Sequence, residues 1–82
     1  MLPRIKSVKT CKDYILDIVF DDDRNVLYDM NEDIDTLPGY GELKNTLGLF
    51  EQVCVDESRT CIFWNDKIDL PSDILYEYGS DK

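Results

Sequence analysis

The chain has 82 residues, which gives room for one small domain and a thin hydrophobic core. Eighteen acidic residues against nine basic ones give a net charge of −9, and a surface of that sign repels phosphate backbones, so direct nucleic-acid binding is disfavoured. Because no apolar run approaches the ~20 residues that cross a bilayer and no signal peptide is recognisable, we expect a cytoplasmic protein without a membrane partner.

The N-terminal part predicts three antiparallel strands. Residues 4–10 alternate weakly between polar and apolar, and residues 14–20 alternate clearly. After a polar turn at 21–25, residues 26–30 form the third strand, so we expect a meander. The apolar faces of the second and third strands, expected in the core, consist of Tyr14, Leu16, Ile18, Phe20, Val26, Tyr28 and Met30.

Short helices are predicted after this meander. Asn31 is expected to cap a helical turn that ends before Pro38. A second short helix is predicted over 41–48, with Leu43 and Leu47 on one face because they are four residues apart. Helices this short need packing against a sheet to be stable.

Residues 52–64 predict a second hairpin, with Asp56–Arg59 as its turn. This register places Cys54 opposite Cys61, which raises the hypothesis of a redox or ligand-binding site between two thiols. Reduced thiols are favoured over that hypothesis, because acidic surroundings raise the pKa of a thiol and a cytoplasmic address is reducing.

The C-terminal part predicts a strand at 67–70 and a helix over 71–79. Pro71 suits a first helical turn, where its missing N–H costs nothing, and the cap is assigned to Ser72 or Asp69. The stripe that this helix is expected to bury consists of Ile74, Leu75 and Tyr78.

These elements predict an α+β fold of two layers, in which an antiparallel sheet built from two hairpin or meander groups carries short helices on one face. The whole chain, 1–82, is interpreted as a single domain without a DNA-binding extension. Small cores are often supplemented by self-association, so a homodimer through an edge strand at 4–10 or 67–70 is a further hypothesis.

Four stretches, "MLPRIKSVK", "LFEQVCVD", "CIFW" and "IDLPSDILYE", occur in an order that resembles the domain-of-unknown-function 2442 family of small bacterial proteins. The resemblance runs from Pro3 to Glu77 and departs from the family pattern after Trp64, where "NDK" replaces a glycine-containing turn. It implies a two-layer α+β domain, and it suggests a pairing with a second small protein encoded nearby, as in toxin–antitoxin systems. Its motifs are packing and turn signals, so it transfers no catalytic residue.

The chain contains no histidine, which removes the commonest general acid–base group and the commonest zinc ligand. Two groups of aspartates suggest metal ligands, but neither follows the alternate spacing of a calcium loop, so turn and capping roles are favoured. These groups are Asp21, Asp22 and Asp23, and Asp66, Asp69 and Asp73. We therefore predict no catalytic site, no cofactor and no metal.

The candidate partner-binding residues are the large amphipathic side chains Trp64, Tyr40, Tyr76 and Tyr78. Trp64 alternatively anchors the terminal helix to the sheet, which is the favoured interpretation for that residue. The first functional prediction is a non-enzymatic protein-interaction module, and the second is an antitoxin-like or regulatory partner of a small basic protein encoded nearby. The third is a ligand binder or redox protein that uses the Cys54/Cys61 hairpin.

Overall fold

The computed structural model describes residues 2–81, which form an α+β fold with two antiparallel sheets. The strands are β1 (Ile5–Cys11), β2 (Ile15–Phe20), β3 (Asn25–Asp29), β4 (Cys54–Val55), β5 (Cys61–Asn65), β6 (Ile68–Pro71) and β7 (Ser80–Asp81). The helices are α1 (Asn31–Thr36), α2 (Glu42–Asn45) and α3 (Ser72–Tyr78), with single 3-10 turns at Lys12–Tyr14 and Phe50–Gln52. The first sheet has the order β1-β2-β3-β7 and the second β4-β5-β6, so β1 and β6 are edge strands as predicted.

The predicted meander is confirmed, and its apolar face forms one wall of the core. Leu16, Ile18 and Phe20 on β2 are fully buried, because alternate residues of a strand point to the same side. Val26 and Tyr28 on β3 continue that wall. The remaining core comes from both sheets and all three helices: Ile5, Met30, Ile34, Leu43, Phe50, Ile62, Trp64, Ile68, Leu70 and Leu75.

The second hairpin forms with a register that differs from the prediction by two residues. Cys54 lies opposite Phe63, and Cys61 does not face it. The Asp56 carboxylate sets this register, because its Oδ1 accepts hydrogen bonds from the amides of Thr60 and Cys61, both at 3.2 Å. Asp56 also donates its own amide to the Cys61 carbonyl at 3.0 Å, so the loop closes on that pair.

The turn between β5 and β6 is closed by a side chain. Asn65 Oδ1 accepts hydrogen bonds from the amides of Lys67 at 2.8 Å and Ile68 at 3.0 Å. An asparagine side chain that binds the backbone two residues on imitates a backbone turn. The β5–β6 connection therefore forms without glycine.

The helix caps differ from the predicted ones. At the start of α1, the backbone amide of Asn31 donates a hydrogen bond to the Asp29 carboxylate at 2.9 Å. Asn31 is therefore the first residue of the helix and not its capping residue. At α3 the residue before the helix is Pro71, and no side chain caps the helix, so the assignments to Ser72 and Asp69 were wrong. Ser72 is instead buried, and its amide donates to the Thr60 carbonyl at 2.8 Å.

Two predicted helix faces were only partly right. The helix α2 ends at Asn45, so Leu47 lies beyond it and is fully exposed while Leu43 is buried. On α3 Leu75 is buried and Tyr78 is 66% exposed. This helix packs against both β3 and β6, and two sheets rather than one surround the core.

Candidate protein-binding groove

The four aromatic residues predicted to bind a partner lie in different places. Trp64 is only 5% exposed and belongs to the core, so it does not contribute to a surface patch. Its ring stacks on Phe50 with centroids 6.2 Å apart, and its indole Nε1 donates to the Phe50 carbonyl at 2.9 Å. Trp64 is therefore a core residue that packs on the 3-10 turn at Phe50–Gln52, and its predicted role as an anchor of the terminal helix stays a prediction.

Tyr40 is half-buried beside the second sheet. Its hydroxyl donates to the backbone carbonyl of Asp69, on the outer strand β6. Burial raises the pKa of the Tyr40 hydroxyl, and the Asp69 carboxylate adds to the increase. Tyr40 therefore fastens the loop before α2 to the second sheet.

Tyr76 joins α3 to the β2–β3 turn. Its ring meets Phe20 edge-to-face at 4.9 Å, and its hydroxyl donates to Asp22 Oδ2 at 2.6 Å. The Arg24 guanidinium lies 4.4 Å from the centre of the same ring and pairs with Asp81 at 3.0 Å. A groove of about 750 Å³ beside Tyr76 is lined by Asp21 and Asp22, whose carboxylates already accept hydrogen bonds from other side chains of the protein. This cluster is best explained as structural.

The aspartates of the β2–β3 turn diverge to three separate partners. Asp21 accepts hydrogen bonds from both terminal nitrogens of Arg59 at 2.8 Å, and Asp22 accepts one from the Tyr76 hydroxyl. Asp23 pairs with Lys6 at 2.8 Å. Within residues 2–81, no three His, Cys, Asp or Glu side chains are grouped so that they would hold a metal ion.

The cysteine geometry contradicts the facing-thiol hypothesis. Cys54 and Cys61 are diagonal neighbours across the hairpin, for which the Cα separation is about 7–8 Å, longer than a disulfide usually spans. Cys11, Cys54 and Cys61 are all free. Burial raises the pKa of the Cys61 thiol, and the carboxylates of Asp69 and Asp56 raise it further, as expected for acidic surroundings.

Tyr78 lines a groove of about 680 Å³ at the edge of the first sheet. The groove lies where the end of β3, the start of α1, the outer side of α3 and β7 meet. Its apolar lining consists of the half-buried Ile15, Leu27 and Ile74, with the exposed Tyr78 ring beside them. Its acidic lining consists of Asp29, Glu32 and Asp33, and the lining is completed by Tyr28 and Ser80. Among residues 2–81, no lysine or arginine lines this groove.

Hydrogen bonds fix two of the three carboxylates. Asp33 Oδ2 accepts the Tyr28 hydroxyl at 2.6 Å, which ties α1 to β3. Asp29 Oδ1 accepts both the amide and the side-chain nitrogen of Asn31, at 2.9 and 2.7 Å. These bonds from Asn31 lower the pKa of Asp29, and the positive charge of Lys44 lowers it further. The groove thus presents preorganised negative charge beside an apolar surface.

Comparisons of the chain with protein-family models, with curated proteins and with solved structures give no match. The similarity to the domain-of-unknown-function 2442 family therefore stays a prediction from the sequence motifs. No helix within residues 2–81 has the length and the apolar character needed to cross a membrane.

Sequence reasoning found one residue of this groove, Tyr78, and missed the others. Ile15 and Leu27 were overlooked because they lie on the sheet face opposite the core, where an apolar residue is common and carries no special signal. The three carboxylates are drawn from "YDMNED", which the sequence presents as an ordinary helix start. Only their position beside Ile74 and Tyr78, more than 40 residues further along the chain, brings them into one groove.

Proposed function

We propose that this protein is a non-enzymatic interaction module that binds a basic segment of a protein partner in the groove beside Tyr78. The observation that carries the proposal is the composition of that groove: within the described part of the chain, residues 2–81, it is lined by three carboxylates and three half-buried aliphatic side chains and by no basic residue. Apolar contacts supply most of the affinity of such a surface, and the charges select and orient the partner. The net charge of −9 favours encounter with a basic protein.

The distribution of reactive groups supports a binding role over a catalytic one. The chain has no histidine. Cys61 is the least exposed of the three cysteines, and the raised pKa of its thiol favours the protonated form. The buried tyrosine of the groove, Tyr28, also has a raised pKa, mainly through burial and then through its bond to Asp33, and is a poor proton donor. These groups fit a surface that holds a partner rather than one that transforms a substrate.

An antitoxin-like or regulatory role is the more specific form of the same proposal. It requires one dedicated basic partner, encoded nearby, instead of a range of basic segments. The acidic lining and the overall charge support either form equally. Co-expression with the adjacent gene product, followed by co-purification at a fixed stoichiometry, separates the two.

Affinity capture from the native host with charge-matched variants tests the proposal. Glu32→Lys reverses one charge inside the groove, and Tyr78→Ala removes its exposed ring. Glu57→Lys, on the exposed β4–β5 loop, changes the net charge by the same amount outside the groove. We expect a basic protein that is captured by the wild type and by Glu57→Lys and is lost from both groove variants. Equal capture by Glu32→Lys and Glu57→Lys, with both variants folded, would show that the groove is not the binding surface.

A further inference from the structure

The groove contains an uncovered piece of strand edge. The last strand of the first sheet, β7, pairs with β3 only at Val26 and Leu27. The residues that precede β7 do not continue this pairing, because they belong to α3, which ends at Tyr78. The Gly79 amide donates a hydrogen bond to the Leu75 carbonyl at 3.0 Å. Within residues 2–81 no strand pairs with the outer side of Tyr28 and Asp29.

The backbone of Asp29 faces this open edge. In an antiparallel strand the amide and carbonyl of one residue point to one neighbour, and those of the next residue point to the other. Met30 donates its amide to the Tyr14 carbonyl at 3.0 Å, on the β2 side of the strand. The amide and carbonyl of Asp29 therefore point away from β2, along the line that β7 occupies at Leu27.

We infer that the partner's segment binds as a short extended strand that continues the edge of β3 beyond β7, with hydrogen bonds to the amide and carbonyl of Asp29. This inference rests on the proposed function and specifies its binding mode. Strand addition to a free edge obtains affinity from main-chain hydrogen bonds and specificity from pockets for alternate side chains. Here the groove supplies both kinds of contact, since Leu27 and Ile15 offer an apolar surface beside the acidic Glu32.

The chemistry of the lining defines the segment. Side chains of a strand alternate between two sides, with a rise of about 3.3 Å per residue. Ile15, Leu27 and Asp29 share one face of the first sheet, so on that side of the added strand an apolar branched residue would pack on Leu27 and a lysine or arginine would meet Asp29. The expected ligand is thus a protein segment that presents basic and aliphatic residues together on one side of the strand.

The test uses a capped hexapeptide in which two lysines, two valines and two lysines follow one another, so that each side of the strand carries both residue types, together with copies in which each backbone amide is methylated in turn. Binding to the full chain is followed by amide resonances in two-dimensional NMR and by calorimetry. We expect shifts at Leu27, Asp29 and Glu32, slower hydrogen exchange of the Asp29 amide, and an affinity loss of about tenfold when one alternate set of peptide amides is methylated. Methylation of the other set should have little effect.

Different outcomes separate this inference from the proposed function. If the peptide shifts the groove resonances but all methylated copies bind equally, or a helical peptide of the same composition binds more tightly, strand addition is overturned and the groove remains the binding surface. If no peptide shifts the groove resonances, or Glu32→Lys and Glu57→Lys weaken binding equally, both proposals fail. Glu57→Lys again serves as the charge-matched control, because Glu57 is exposed on a different loop.

Discussion

The indole of Trp64 donates its hydrogen to the backbone carbonyl of Phe50 at 2.9 Å while the two rings stack. This pair joins the second sheet to the 3-10 turn at Phe50–Gln52, inside the core. Replacement of Trp64 by Phe leaves the Phe50 carbonyl without its donor and removes ring volume, so we expect a loss of about 2–3 kcal/mol in the free energy of unfolding. Urea denaturation, monitored by circular dichroism, measures this loss in the free energy of unfolding.

Phe63 provides the control for that substitution, because it is the neighbouring residue on the opposite, more exposed face of β5. Phe63→Leu should cost less than about 1 kcal/mol. The tryptophan fluorescence of the wild type should be blue-shifted and poorly quenched by acrylamide, a neutral quencher that the net charge of −9 does not repel. Red-shifted emission with efficient quenching would contradict the buried position of Trp64.

We expect substitution of Gly79 to destabilise the protein because a side chain has no room at this position, and not because of its backbone conformation. A Cβ at this position would lie 2.6 Å from the Leu75 carbonyl oxygen and 2.8 Å from Val26 Cγ2. Gly79→Ala must push α3 away from β3, so we expect a loss of about 1–3 kcal/mol in the free energy of unfolding. Gly41→Ala, whose Cβ meets nothing closer than 3.8 Å, should be neutral or slightly stabilising. Equal denaturation midpoints for the two variants would refute the steric argument.

We expect that replacement of Ser72 does not destabilise the protein and can stabilise it. Its hydroxyl is fully buried, and within residues 2–81 it has no hydrogen-bond partner. A buried polar group without a partner costs about 1–3 kcal/mol, so Ser72→Ala should leave stability unchanged or raise it by about 1 kcal/mol. Thermal and urea unfolding both test this. A clear destabilisation would mean that the hydroxyl has a partner, such as a buried water molecule.

Stability should decline at alkaline pH, partly through Tyr28. Burial and the bond to Asp33 raise the folded-state pKa of Tyr28 above its usual value near 10. Below that value both states keep the proton; above it the unfolded state loses the proton first, so stability falls by about 1.4 kcal/mol per pH unit for this group. Tyr28→Phe should reduce the slope without abolishing it, because the pKa values of Tyr40 and Cys61 are raised as well. An unchanged slope, from urea titrations between pH 8 and 11.5, would exclude Tyr28.

Asp69 is not a helix cap, so Asp69→Ala should not lower the melting temperature measurably. The contact that Asp69 makes to Tyr40 uses its backbone carbonyl, which alanine retains. The carboxylate does raise the pKa of the Cys61 thiol, so the variant should make Cys61 react faster with a disulfide reagent at pH 8. The rate at the exposed Cys11 serves as an internal reference. A large fall in melting temperature would restore a structural role for the carboxylate.

The sequence alone was sufficient for the meander and for the α+β class. Each depends on local patterns: alternation in "YILDIVF" and "VLYDM" forces one face of each strand into the core, whatever lies on the other side. Helix α3 was also found locally, since proline and glycine mark its ends. Its buried face was only partly right, because a seven-residue helix between two sheets buries whichever side each sheet covers.

Tertiary structure decided the hairpin register and the groove. The register of Cys54 depends on which backbone amides donate to the Asp56 carboxylate, and alternation does not resolve it because a shift of two residues leaves every side chain on the same face. The groove needs the β3–α1 corner and α3 to stand side by side, and residues far apart in sequence share no periodicity that would reveal it. Charge and composition are sums over residues, so the sequence determined them completely. A binding surface is a relation between distant residues, and only the folded chain brings those residues together.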